Sequence, residues 1–577
     1  MRKLLLVILT LALTLSLTAC PRQPEGTVTP TPRPTVVPTP EMPQETVVTV
    51  CLGTEWYTID PSFINDEDTA SYALHLFEGL MKFVPGEDGG QVSEAKVDYG
   101  MAERYTVSED GLTYTFTLRE NAKWSDGQPV TAADFVYAWQ RLLAPNRADS
   151  MEHARGGHVL SGIVKNADKV EAGRLAATEL GVTAVDEHTL EVRLETPCTY
   201  FPKLCAGPSM VPLRQDVIEA YGGDWTETDK IVTNGPYEIT EWVHDDYMKM
   251  ERSSVYYDQD SLGPDTILWK FSDGEQLTLD GFYNGAYDFI GTFPEAQAAE
   301  LKASGVCGTQ PKAGTYYLYL NTDAIADWRV RAAMVLSVDR ESIVPLLGGD
   351  ERAATGLVPD GIQDSKGKNF ASGGSGTAGA MFNWLQNWHQ DYDLSTYEGR
   401  CALAKALYQD ALNAGSWHRS YQLTYCYNSS TMNRTVAQAC QKNWRDVLGL
   451  TVNLSVVDQS SYPSLLEEGG FGVAYLSWMP DYDDAQNFLQ LMHSGSTYNY
   501  SNWESPAFDD LMEQIDHMLD GNQRDELQSY AEEQLFALGG FPVCPIVFYE
   551  ESYCAAESLR NVAYSPFGYY IFSYCAK

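Results

Sequence analysis

The chain has 577 residues, 44% of them hydrophobic and 12% aromatic, and a formal net charge of -40. Such a length exceeds what one hydrophobic core can use and calls for two or three domains. So acidic a chain argues against nucleic acid or an anionic membrane surface as partner, and its composition is that of a soluble globular protein.

Arg2 and Lys3 precede an apolar run from Leu4 to Leu17. The run is too short for a stable transmembrane helix and right for a secretory signal. It closes on Leu17-Thr18-Ala19-Cys20, which resembles the lipobox of bacterial lipoproteins. That resemblance implies a signal peptide over 1–19, removed before Cys20, whose thiol would carry the lipid and anchor the chain to a membrane from outside the cytoplasm. From Pro21 to Gln44, eight prolines stand among threonines. This composition predicts an extended tether over 20–44, spanning up to ~75 Å at about 3.1 Å per residue. Ten cysteines remain beyond Cys20. Their number permits disulfides without fixing the pairs, and for Cys198 and Cys205 a local bridge and two free buried thiols both stand open.

The folded part is expected from Glu45, with a strand over Val47–Val50. Residues Ala70 to Leu80 place Tyr72, Ala73, Leu76, Phe77 and Leu80 on one helical stripe, with Gly79 as the stop. Two alternating strands, Arg104–Val107 and Thr113–Arg119, flank Glu109-Asp110-Gly111 as a hairpin. Thr131 and Asp134 make a capping box before a helix that buries Phe135, Val136, Trp139, Leu142 and Leu143. Asn234-Gly235-Pro236 reads as a turn before a strand, with Asn234 a turn residue. Further on, Thr315–Asn321 reads as a strand, Trp328–Val338 as a helix after Asp327, Tyr397–Ala414 and Thr431–Leu448 as amphipathic helices, and Thr451–Val457 as a strand. The glycine-rich run 373–379 lacks the Gly-Lys-Ser/Thr ending of a phosphate loop. Two helices after Ser505 carry acidic clusters that read as solvated faces, and a strand over Pro545–Tyr549 follows. Alternating helices and strands predict α/β layers.

The stretch AERYTVSEDGLTYTFTLRENAKWSDGQPVTAADFVYAWQRLL, from Ala102, resembles the signature of the family 5 extracellular solute-binding proteins, the oligopeptide-binding components of ABC importers. TIDP at Asp60, LFEGL at Leu76–Leu80, NGPYEI at Asn234–Ile239, YYLYLNT at Tyr316–Thr322, WMPDYDD at Trp478–Asp484 and SPAFDDLM after it fall in the family's order. The likeness runs from about Val47 to about Tyr553. It implies an α/β, two-lobed fold like that of periplasmic binding proteins, with a third domain inserted in the first lobe. Lobe I would take 45–85, 195–313 and 546–577, the inserted domain 86–194, and lobe II 314–545. A cysteine pair of some relatives would fall at Gly314 and Met479, so any disulfide here is this chain's own.

Function is expected at FGVAYLSWMPDYDDAQNF, Phe471 to Phe488. The alternation Val473–Trp478 predicts a strand that stops at Pro480, which has no N–H to donate, leaving Trp478 and Asp481 at its rim. An indole face and a carboxylate side by side suit an ammonium; an interior Trp and a turn Asp are the plainer reading. By the resemblance, Asp481 would hold the amino terminus of a peptide, with Trp478, Tyr482 and Tyr462 around it. No zinc-protease, serine-hydrolase or EF-hand motif occurs, and His153 and His158 lack ligand spacing. A monomeric binder is expected, without catalytic residue, metal or cofactor, delivering oligopeptides to the permease subunits of an ABC transporter. The same fold serving a nickel complex, haem or an oligosaccharide, or a cell-surface adhesion protein, are the alternatives.

Overall fold

Residues 45–55, 58–64, 66–87, 89–144, 156, 159–371 and 379–577 are described by a computed structural model. The signal segment, Cys20, the tether, His153, His158 and residues 373–378 of the glycine-rich run lie outside the described residues. Among those described, no helix is long and apolar enough to cross a membrane.

One sheet of eleven strands runs through the molecule. Its strand order is Thr451–Val456, Gln422–Tyr427, Val473–Trp478, Cys307–Leu320, Val543–Ala555, Phe289–Ile290, Val47–Cys51, Thr266–Lys270, Tyr247–Arg252 and Tyr237–Val243, with Arg352–Ala353 added on Val543–Ala555. Sequence periodicity gives only the ends of the two longest strands, because each passes from one core to another. Cys307–Leu320 pairs antiparallel with Val543–Ala555, and the register breaks between Lys312 and Thr315. On one side of that break lies a core spanning Ala313 to Val547, and on the other a core that combines Val48, Trp269 and Phe572 with Phe116, Trp124 and Trp139. The Phe116–Trp139 group belongs to a separate four-stranded sheet, Ala102–Val107, Thr113–Leu118, Thr189–Arg193 and Val182–Asp186, whose core is continuous with its neighbour's.

The expected hairpin forms, with Gly111 at φ +71°, a left-handed value that glycine adopts without strain. Asp134 receives the Thr131 backbone N–H at 2.8 Å, the returning arm of the capping box, and the helix Ala132–Leu142 buries Phe135, Trp139 and Leu142. The helix Thr431–Leu448 starts on a Ser430 cap and ends at Gly449 in the left-handed region. Two readings change. The first helix spans Glu67–Leu76, so Gly79 lies beyond its end. A Cβ there would collide with the Cys205 carbonyl, so Gly79 allows a close backbone approach. Asn234 is buried, and its amide accepts from Glu78 N at 3.2 Å and donates to Glu78 O at 2.8 Å, clamping the LFEGL segment. Cys198 and Cys205 are free buried thiols, and the disulfide is Cys307–Cys554, joining directly opposed residues of the two long strands.

Candidate ligand-binding site

The strand Val473–Trp478 lies antiparallel to Cys307–Leu320, and its last pair is Trp478 with Thr315. On its other side it pairs with Gln422–Tyr427 only at Val473 and Ala474. Beyond them the edge is covered at one place by Tyr462, whose hydroxyl accepts from Tyr475 N and donates to Tyr475 O, both at 2.9 Å. Backbone groups alternate along a strand, so Ser477 directs its N–H and C=O to the same open side as Tyr475. The strand therefore ends in an edge where another chain can pair.

Past Trp478 the chain enters a cavity of about 360 Å³ whose walls include Met479, Pro480, Asp481, Tyr482 and Asp483 from one side, and Asp66, Glu67, Lys203 and Phe567 from the other. Met479 covers Gly314, where a Cβ would meet the thioether.

Asp481 is exposed and makes no hydrogen bond or ion pair among the described residues. Tyr482, next to it, is buried and stacks on Tyr200, with ring centroids 4.1 Å apart and planes 6° from parallel. Burial pushes its phenol well above the ordinary value, so it stays neutral. The two acids that follow are fully engaged. Asp483 accepts from Lys203 Nζ at 2.8 Å and from Gln363 N at 2.7 Å, and burial pushes its carboxyl up against the pull of Lys203. Asp484 takes both terminal nitrogens of the buried Arg524, and also Gln528 and Gln486 N.

Of the four residues expected at the site, the structure brings Asp481 and Tyr482 to the cavity wall and places the other two elsewhere. Trp478 is half-buried behind the rim, its Nε1 donating to the buried Asn487 Oδ1 at 2.7 Å and its ring edge-on to Tyr498. Tyr462 is buried, with its hydroxyl committed to main chain. A lone indole N–H and a lone phenol O–H each need a partner when buried, and these found theirs inside. Lys203, Gln363 and Arg524 were missed. They come to the rim from 280, 120 and 40 residues away, and no local pattern marks them. The helix Gly521–Leu535, read as a solvated acidic face, buries Arg524, Asp525, Gln528 and Glu532.

The arrangement sets one carboxylate without a partner beside a free strand edge, in an apolar, water-reaching cavity. It can receive a cation and, next to it, a hydrogen-bonding backbone.

The profile described as bacterial extracellular solute-binding proteins, family 5 Middle, matches residues 96–500. The periplasmic oligopeptide-binding protein OppA of Salmonella typhimurium is 32% identical over 492 residues, 84% of each chain. The probable deoxycholate-binding periplasmic protein YgiS of Escherichia coli is 30% identical over 480 residues, 82% of this chain and 83% of that one. Among solved structures, the unliganded open form of the murein tripeptide-binding protein MppA of Escherichia coli superposes with a TM-score of 0.78 at 26% identity, over 92% of this chain and 97% of that one.

Proposed function

Because the chain belongs to family 5 of the bacterial extracellular solute-binding proteins, a family of binders rather than enzymes, we propose that it captures peptides between two lobes and hands them to the permease of an ABC importer. The uncommitted carboxylate of Asp481 carries this reading. An α-ammonium would pair with Asp481, while the first peptide groups continue the sheet at Ser477 by strand addition. Side chains would lie in the apolar cavity, where water adapts to their variety.

In this reading lobe I comprises 45–85, 195–313 and 546–577, lobe II 314–545, and 86–194 is the inserted domain. The register break between Lys312 and Thr315 is where the lobes turn against one another. The good superposition on an open, unliganded relative supports an open state here. A peptide touching both lobes favours the closed form by its greater affinity for it, and the closed form is what a permease reads. Cys20 bears the lipid that holds the receptor at the membrane.

Calorimetry with short peptides tests the site. Asp481→Ala is expected to weaken binding by ~2–5 kcal/mol, the loss for one partner of a buried charge pair. Wild-type affinity in that variant would remove Asp481 from the site. Mass spectrometry of ligands released by unfolding the purified protein tests the ligand class. A set of peptides is expected; a bile acid, metal complex or sugar alone would overturn the peptide reading.

A further inference from the structure

The cavity wall carries more acids than bases and offers a ligand no available cation among the described residues. Asp66, Glu67, Asp481 and Asp483 line it, and Lys203 is the one lysine, arginine or histidine on it among the described residues. An ammonium has three N–H donors, and Lys203 meets three acceptors: Asp483 Oδ2 at 2.8 Å, Gln363 O at 3.2 Å and Asp483 O at 3.3 Å. It has nothing left for a ligand carboxylate. Lys312, behind the wall, is held between Glu67 and Glu551, at 2.5 and 3.0 Å.

The other way to bind an anion is the start of a helix, where free N–H groups and the macrodipole favour negative charge. The helix Glu67–Leu76 does begin at the cavity. Its own chain has closed that option: Asp66 Oδ1 caps Thr69 N at 2.8 Å, and Glu67 and Asp68 fill the first turn. The second oxygen of Asp66 lies buried in the wall, with no hydrogen-bond partner among the described residues. A carboxylate entering this cavity meets the negative charge of Asp481 and Asp66, which costs affinity, while a second ammonium is drawn toward it.

We propose that the cleft selects among peptides by positive charge and leaves the carboxyl end to water. This rests on the peptide-binding reading of the same cavity. Blocking the carboxyl terminus should then be harmless, and acidic peptides should be disfavoured against basic ones of equal length.

The test is calorimetry on the full protein with four peptides: Ala-Lys-Ala as free acid, as C-terminal amide and as N-acetyl derivative, and Ala-Glu-Ala as free acid. The amide is expected to bind as tightly as the acid or tighter, and the lysine peptide about tenfold tighter than the glutamate peptide, a difference of about 1.4 kcal/mol. A free acid that binds more than about threefold tighter than its amide, or a glutamate peptide that equals the lysine one, overturns the proposal. N-acetylation separates the two readings. If it abolishes binding while the free acid outdoes the amide, only the present proposal fails; if it changes nothing, the assignment of Asp481 to an α-ammonium fails. Asp66→Asn, which keeps the helix cap, should narrow the lysine-to-glutamate ratio by about threefold, and an unchanged ratio would overturn the part given to the wall charge.

Discussion

Asp481 and the pair Asp483–Asp484 are carboxylates within four residues of one another, yet they live in different chemistries. Asp483 and Asp484 are packed under Lys203, Gln363, Arg524 and Gln528, so each carboxylate oxygen that burial takes from water has a donor. Asp481 sits one residue beyond the buried Pro480 with its side chain open to the cavity. Burial with full pairing makes a carboxylate structural. Exposure at a rigid rim without a partner leaves it free to bind. Between them in the chain stands Tyr482, anchored by its stacking on Tyr200.

The largest expected effect is at Asp484. Replacing it with alanine leaves Arg524, whose guanidinium burial would discharge and Asp484 holds charged, without its counter-ion. Removing one member of a buried pair costs about 3–5 kcal/mol, and denaturant unfolding should show the loss at unchanged slope. A variant as stable as wild type would mean that Arg524 finds water in its place.

Next in size is a pH effect from the same helix. Glu532 has the Leu357 and Val358 N–H groups on one oxygen, at 2.7 and 2.9 Å. Burial raises its pKa from the ordinary 4.5 to about 7, against the pull of those N–H groups. The folded state therefore keeps a proton that the unfolded chain gives up between about pH 4.5 and 7. Its contribution to stability is complete below 4.5 and is lost as pH rises through 7, by on the order of 3 kcal/mol at about 1.4 kcal/mol per pH unit. Glu532→Gln should flatten that part of the stability profile. An unchanged slope between pH 5 and 7 in the variant would assign it to another group.

Comparing these acids shows what the sequence makes legible. Capped helices such as Thr431–Leu448 and the hairpin closed by Gly111 are visible because their signals are local: a serine or threonine, a stripe, a glycine. The strand Val473–Trp478 and its stop before Pro480 follow from alternation and a missing N–H. Charged residues on the helix Gly521–Leu535 give no such signal, since Asp525 and Glu532 are written with the same letters as solvated acids; their burial depends on Ser365 and Leu357, over 150 residues away. For the same reason Asp481 was recognisable as a candidate and Lys203 was not. Tyr462 and Trp478 were expected at the ligand by the resemblance; the internal partners of their hydroxyl and indole N–H, which tie the rim to its own framework, have no local signal.

Asp483 should respond less than Asp484. Lys203 and Asp483 are only partly shielded, at 25% and 13% side-chain exposure, so water can replace what is lost. Asp483→Ala should cost about 1–3 kcal/mol, the range for hydrogen bonds to charged groups. It would also free Lys203 from the carboxylate among its three acceptors, leaving the main-chain carbonyls of residues 363 and 483. In that variant a ligand carboxylate gains a cation on the wall, and binding of a free-acid tripeptide should improve against its amide. Equal ratios in variant and wild type would mean that Lys203 stays bound to those two carbonyls and never turns to the ligand.

The smallest effect on stability belongs to Asp481. Since no described group depends on it, Asp481→Asn should change unfolding free energy by less than about 0.5 kcal/mol, the usual bound for an exposed substitution. Any change is expected toward slight stabilisation, because Asp66 shares the cavity with it and like charges repel. Raising the salt concentration should erase such a gain, as screening acts on exposed charges. The informative result is a variant that unfolds like wild type and no longer holds its ligand, which places the role of this carboxylate in binding alone. A loss of more than about 1 kcal/mol in stability would instead show Asp481 to be structural, like its two neighbours.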